Sequence, residues 1–208
     1  TGRMPKGQYR LYGRLDRVLA VSSPVRAAVL AENPRLAPVV RISGYPIRWD
    51  ALAAPRNATP AGAPLTIGFI GRIHREKGLD LLAAALALLG AQDELPPWRM
   101  VFCGPQDVEH GGSGEKYARN LRRLLESFLP AGRLEFKLPL FADERLAEIY
   151  RGIDIFCYPS LAGRGETFGV AVAEAMAAGA VPVVARLPCF SDFVHGGENG
   201  ETFDHASP

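Results

Sequence analysis

The sequence predicts a doubly wound α/β domain over residues 65–208, a parallel sheet flanked by helices. Three observations carry this reading. Short apolar runs recur after Leu65, each is continuous rather than alternating, and the stretches between them repeat their apolar residues at helical spacing. A strand that is apolar throughout is buried on both faces, the situation of a central strand in a helix-covered parallel sheet. Repeated strand–helix units then define the class.

The strand runs are LTIGFIG (65–71), RMVFCG (99–104), LEFKLP (134–139), IDIFCYPS (153–160) and VPVVARL (181–187). In GLDLLAAALALLG, Leu79, Leu82, Leu86 and Leu89 share one helical stripe, and Gly90 offers a stop. EKYARNLRRLLESFL (115–129) and ADERLAEIYRG (142–152) are the next helices, and GVAVAEAMAAG closes at Gly179.

The first fifty residues read differently. RLDRVLAVSSPVRAAVLAENP predicts a helix, the short strand RVLAVS, then a helix capped by Ser22 or Ser23 with Pro24 in its first turn. PVVRISGYPI is a second strand running into a turn. Such pieces cannot build a core alone, so residues 1–50 read as the tail of a preceding domain. The Ala- and Pro-rich stretch 51–64 reads as a linker, and 65–208 as the principal domain. The end, ENGETFDHASP, follows an edge strand without a closing helix, so the sequence reads as a fragment of a longer polypeptide.

Composition narrows the function. At 48% hydrophobic and 22% charged residues, the 208-residue chain is that of a globular protein. No apolar run reaches the roughly 18 residues of a membrane span, and no signal-peptide pattern stands at the start. Cys103, Cys157 and Cys189 lie far apart in or beside apolar runs, which fits buried free thiols in a reducing, cytoplasmic compartment. Net charge is +2, yet residues 1–50 carry nine Lys/Arg against three acids. That basic segment reads first as a solvated face. It would also suit an anionic substrate or a peripheral contact with the inner face of a membrane. Near-neutrality overall, with no recognition motif, argues against nucleic acid.

Three loops carry chemistry if the strands are placed correctly, because ligands of open parallel sheets bind beyond the carboxyl ends of the strands. In GFIGRIHREKG a strand ends at Gly71, where backbone can approach a ligand closely, and Arg72 and Lys77 follow. An Arg fork and a Lys point charge suit a phosphate, although such a loop can also be a plain solvated helix start. In ETFGVAVAE a helix begins at Gly169, so the N–H groups of Gly169 and Val170 form an anion-favouring mouth. Glu166 precedes that mouth and Glu174 lies inside the helix. Each is costly to bury unless paired, and Glu174 could equally be an Arg-paired structural carboxylate. GPQDVEHGGSG is a Gly-rich loop of common type.

Together these loops resemble the C-terminal donor-binding domain of the family 4 retaining glycosyltransferases, which have the GT-B fold. GRIHREKG is similar to that family's G-R-x-x-x-x-K-G, and ETFGVAVAEAMAAGAVPVV to its E-x7-E signature with the helix and strand behind it. RVLAVSSPVRAAVL and VVRISGYPI look like the end of its acceptor domain. The resemblance implies a Rossmann-like sheet forming the C-terminal half of a GT-B architecture, and a nucleoside-diphosphate sugar as substrate. Arg72 and Lys77 would neutralise its diphosphate, beside Gly71. Glu166 would accept sugar hydroxyls, and Glu174 would hold the ribose. The amides of Phe168, Gly169 and Val170 would touch the distal phosphate or sugar, and Leu138 and Pro139 would flank the base. Glu166, Arg72 and Lys77 would be the catalytic set, with no metal and no cofactor. The acceptor glycan or lipid would bind the missing N-terminal domain, and this fragment alone would be inactive.

The motif scan finds no DxD pair, and His74, His110, His195 and His205 lack metal-ligand spacing. Where the family often has an N-G-x-D turn, this chain has SGYPIRWD, so no contact is carried over there. Two other readings compete. One is a GT-B-fold epimerase or phosphorylase, although Lys137 is a poor candidate to carry a phosphorylase's cofactor. The other is a donor-binding module without turnover.

Overall fold

The computed structural model describes residues 4–56, 60, 62–139, 143–163 and 165–205. A 3-10 turn, Gln8–Leu11, lies near the start of the described chain, and residues 12–17, where the sequence predicts a helix ahead of RVLAVS, hold none. Strand β1 (Val18–Ala20), helix α1 (Ser23–Glu32) and strand β2 (Val40–Ile42) follow. β1 and β2 pair in parallel, and Val18, Ala20, Val29, Leu36 and Val40 make a small core of their own between them and α1. Ser22 is the N-cap residue of α1 and Pro24 stands in its first turn.

The stretch expected to link begins inside a helical turn, α2 (Trp49–Leu52). Leu52 is buried in the principal core, and Arg151 donates to the Ala51 carbonyl, so this turn is docked rather than loose.

The principal unit contains β3 (Leu65–Ile70), α3 (Leu79–Gly90), β4 (Trp98–Cys103), α4 (Glu115–Glu126), β5 (Leu134–Lys137) and α5 (Asp143–Arg151). It continues through β6 (Ile155–Tyr158), α6 (Val170–Ala177), β7 (Val181–Ala185) and β8 (Glu201–Phe203). The six strands form one sheet in the order β5-β4-β3-β6-β7-β8, every neighbouring pair parallel. β8 is its edge, as the sequence predicts.

The predicted stripe of α3 is the one that packs: Leu79, Leu82 and Leu86 are buried and Leu89 lies against the core. α3 runs beside α4. α5 runs beside α6, and α2 rests on both. Phe69, Phe102 and Phe156, on the three central strands, are wholly buried. Of the cysteines, Cys103 and Cys189 are buried, Cys157 is half-buried, and none is disulfide-bonded.

Candidate functional site

β4 and β6 flank β3 on opposite sides, so the chain leaves the carboxyl ends of β3 and β6 in opposite directions. A crevice must open between those two ends, the usual binding place in an open α/β sheet. The two loops there are tied together. Leu161 N–H donates to the Glu76 carbonyl at 2.8 Å. Gly78 is left-handed at φ +70°, and a Cβ there would stand 2.0 Å from the Pro159 carbonyl oxygen. The loop after β3 turns through a 3-10 segment, Arg75–Lys77, capped by His74 Nδ1, which accepts from Glu76 N–H at 3.2 Å.

This turn aims Lys77 across the crevice. Its Nζ forms an ion pair with Glu166 Oε1, and both side chains are only 9% exposed. A pair so desolvated persists only if further hydrogen bonds satisfy it. Ser160 Oγ donates to the same oxygen at 3.0 Å, and Tyr158 OH donates to it at 3.2 Å. The Tyr158 ring also lies under Lys77, with Nζ 5.1 Å from its centroid. Burial first, then the Glu166 charge, pushes the Tyr158 phenol well above its usual range, so it stays a donor. The same two causes push the Cys189 thiol up to about 12.

Arg72 sits at the open rim with its side chain 44% exposed. One guanidinium nitrogen pairs with Glu76, and another donates to the Gly111 carbonyl at 3.0 Å, drawing in the Gly-rich loop after β4. Gly71 N–H bonds the Cys103 carbonyl at 2.9 Å, where the β3 and β4 loops part.

α6 supplies the mouth. Its cap, Gly169, is left-handed at φ +90°, and a Cβ there would lie 2.3 Å from Phe190 Cε1. Among the described residues, the N–H groups of Gly169 and Val170 have no hydrogen-bond acceptor. Phe168 is half-buried, tilted against Phe193 at 5.1 Å and Tyr45 at 6.2 Å between ring centroids. Glu174 is half-buried one turn further along, and its Oε2 accepts from Tyr150 OH at 2.9 Å. It faces a small cleft of about 70 Å³ shared with Arg48, Leu52 and Leu146. The chemistry-bearing groups therefore divide. Arg72, Lys77, Glu166 and the mouth frame the crevice, whereas Glu174 turns toward α2 and α5. Leu138 is 78% exposed and Pro139 half-buried beyond the end of β5, at the same edge of the sheet.

The N-terminal segment clasps this loop. Ser22 Oγ does not cap its own helix but donates to the Thr167 carbonyl, and Ser23 N–H donates to Asp192 Oδ2 at 2.6 Å. Sequence reading missed Tyr158, Ser160, Glu76, Tyr150 and this clasp. Tyr158 and Ser160 had a signal, as polar groups at the carboxyl end of a buried run. Glu76 had one too, four residues from its partner Arg72, whereas Tyr150 and the clasp had none, since their partners are distant in sequence.

A wide cleft lies elsewhere. It measures about 710 Å³, at the amino ends of β3 and β6, lined by Arg56, Thr66, Arg99, Arg151 and Asp154 among others. One carboxylate–imidazole group also appears that spacing did not reveal. The ligand atoms of Asp107, Glu109 and His110 lie within 4.8 Å of one another on the loop after β4, with Glu109 and His110 exposed.

The model of the family described as Glycosyl transferases group 1 matches residues 54–208. The chain belongs to the group 1 glycosyltransferases. A D-inositol 3-phosphate glycosyltransferase of Rhodococcus jostii is 34% identical over 220 residues, covering 98% of this chain and 46% of that protein. Its counterpart in Rhodococcus opacus is 34% identical over 157 residues, covering 74% and 32%. The chain thus spans a third to a half of the length of these glycosyltransferases. Among solved structures, Anabaena HepE in complex with UDP-glucose matches 92% of this chain and 50% of its own, with a TM-score of 0.69 at 19% identity. The shared fold is the Rossmann-like C-terminal half of a GT-B glycosyltransferase, as the motif resemblance implied. No helix among the described residues is long and apolar enough to cross a membrane.

Proposed function

We propose that the chain is the donor-binding half of a retaining, family 4 glycosyltransferase that works without metal. It moves a sugar from a nucleoside diphosphate to a glycan, lipid or small-molecule acceptor. The observation that carries this reading is the Lys77–Glu166 pair spanning the crevice between β3 and β6, with Arg72 on one side and the open mouth of α6 on the other. The names of the inositol phosphate relatives and the UDP-glucose held by HepE support the substrate class.

The chemistry follows from where charge develops. As the bond between the sugar's anomeric carbon and the phosphate oxygen breaks, negative charge grows on the leaving diphosphate. Arg72, Lys77 and the N–H groups at the mouth are preorganised to meet it. The acceptor oxygen bonds to the anomeric carbon on the face being vacated, and its proton passes to the leaving phosphate, so configuration is retained. Glu166 accepts a sugar hydroxyl rather than attacking, because three donors already draw on its Oε1. Glu174 holds the ribose hydroxyls, exchanging its Tyr150 contact or sharing it. The nucleobase rests at Leu138 and Pro139. The acceptor is held by sequence preceding the basic 1–50 segment, in the cytoplasm at the inner face of a membrane.

Calorimetric titration with UDP and GDP, with and without EDTA, tests this. Binding of one nucleotide that is unchanged by EDTA is expected. Binding that disappears with the chelator would instead bring the Asp107, Glu109 and His110 group into the reaction.

A further inference from the structure

The Glu166 carboxylate is asymmetric. Lys77, Tyr158 and Ser160 all converge on Oε1. Oε2 has no donor among the described residues, and no buried side-chain polar atom among them lacks a partner, so Oε2 is the oxygen that meets solvent. A carboxylate buried to this degree would otherwise rotate about its last torsion and offer either oxygen. Here the three donors fix which one is spent.

Tyr158 is built to do this. Its ring is held parallel to Phe69 and Phe156, with interplanar angles of 15° in both cases, and edge-on to Phe190. The residue is 4% exposed. A side chain so confined has no rotamer freedom left to lose, and its two ends do different things. The hydroxyl marks the position of Glu166 Oε1, and the π-face stabilises the Lys77 ammonium from below. Ser160 holds the same oxygen from the loop after β6.

We infer that Tyr158, seconded by Ser160, is a positioning residue that spends one oxygen of Glu166 and presents the other to a single hydroxyl of the donor sugar. This rests on the donor-site reading above and deepens it. The hydroxyl of Tyr158 then governs recognition of the sugar, and its ring governs the phosphate side through Lys77.

The test separates those two ends of one side chain. Wild type, Tyr158→Phe, Ser160→Ala and Tyr158→Leu are titrated with UDP, UDP-glucose, GDP and GDP-mannose, and each is melted thermally. Tyr158→Phe keeps the ring. It is expected to bind the free nucleoside diphosphate as wild type does, with its melting point held, while binding the sugar-bearing form several-fold more weakly. Ser160→Ala should repeat this pattern more mildly. Tyr158→Leu should weaken both forms, since Lys77 loses its platform. Equal affinity of Tyr158→Phe and wild type for the sugar nucleotide overturns the inference and leaves the donor site standing. So does a parallel loss of both ligands and of melting temperature in Tyr158→Phe, which marks a packing role. A wild type that binds none of the four overturns the donor-site reading and this inference together.

Discussion

Two ion pairs stand at opposite ends of β3 and β6, and they are not alike. At the amino end, Arg56 meets Asp154 at 2.7 Å, with side chains 27% and 21% exposed. Asp154 spends its other oxygen on Thr66 N–H at 2.8 Å, and Arg56 also donates to the Gly179 carbonyl at 2.7 Å. Both oxygens of that carboxylate are committed to the chain itself, so the pair fastens residues around 56 to the sheet. At the carboxyl end, the Lys77–Glu166 pair is more deeply buried, yet among the described residues it leaves Oε2 open beside a helix mouth whose N–H groups have no acceptor. A cleft of about 710 Å³ lies beside the fastening pair. What separates the two ends is the unspent hydrogen-bonding capacity of the carboxyl-end pair.

Five substitutions sharpen or break that contrast. The largest effect should come from Lys77→Ala. It strands a buried carboxylate, which costs about 3–5 kcal/mol of stability. It also removes a charge-assisted contact to phosphate, about 1.5–3 kcal/mol of nucleotide affinity. Urea unfolding and calorimetry read the two losses separately. A variant as stable as wild type would mean that the pair is not desolvated as described. Arg72→Ala comes next. Arg72 is exposed and its Glu76 partner can hydrate, so affinity for nucleoside diphosphate should fall about 10- to 100-fold, with the melting temperature unmoved. A matching fall in stability would make Arg72 a fastener like Arg56.

Asp154→Ala should do the opposite, lowering stability by about 1–3 kcal/mol while nucleotide affinity stays level. If affinity drops as well, the two ends of the strands are coupled and the contrast fails. The smallest effects separate Glu166 beside the helix mouth from Glu174 inside α6. Glu174→Gln should mainly weaken free nucleotide, and Glu166→Gln mainly the sugar-bearing donor, each by up to about tenfold, roughly one charge-assisted hydrogen bond. Equal losses of both ligands in both variants would erase the division of labour.

The parts of the fold that were legible in the sequence are those where one physical demand dominates. A run such as LTIGFIG can only be a strand buried on both faces, and β3 occupies six of its seven positions. Lys77 and Glu166 could be picked out singly as charges at strand and helix ends. Their pairing could not, because it depends on β6 taking the edge of β3 opposite β4, which no local pattern states. Glu174 shows the same gap. Its helix was plain, but its Tyr150 partner sits on α5, and the turn of α2 beside it lies at the border of a stretch whose Ala and Pro content reads as linker. The helix expected before β1 failed for a related reason. Tyr9 and Leu15 pack on the small N-terminal core, and Glu32 and Asn33 at the end of α1 take up the Gly7 and Tyr9 N–H groups and the Tyr9 and Tyr12 carbonyls, so distant side chains rather than helical hydrogen bonds hold this segment.

The pairing of β3 with β6 also sets when the protein can become competent. Lys77 and Glu166 are 89 residues apart. At the usual pace of synthesis, the ribosome delivers Glu166 roughly 4–18 s after Lys77. Throughout that interval β3 has only β4, and later β5, to lean on, with its other edge bare and Lys77 still in water. When β6 arrives it closes the edge, removes the ammonium from solvent and creates the crevice in one step. Closure of the free edge of β3 and burial of Lys77 are therefore a single late event, and a nascent chain halted before β6 carries Arg72 and Lys77 without the groups that face them.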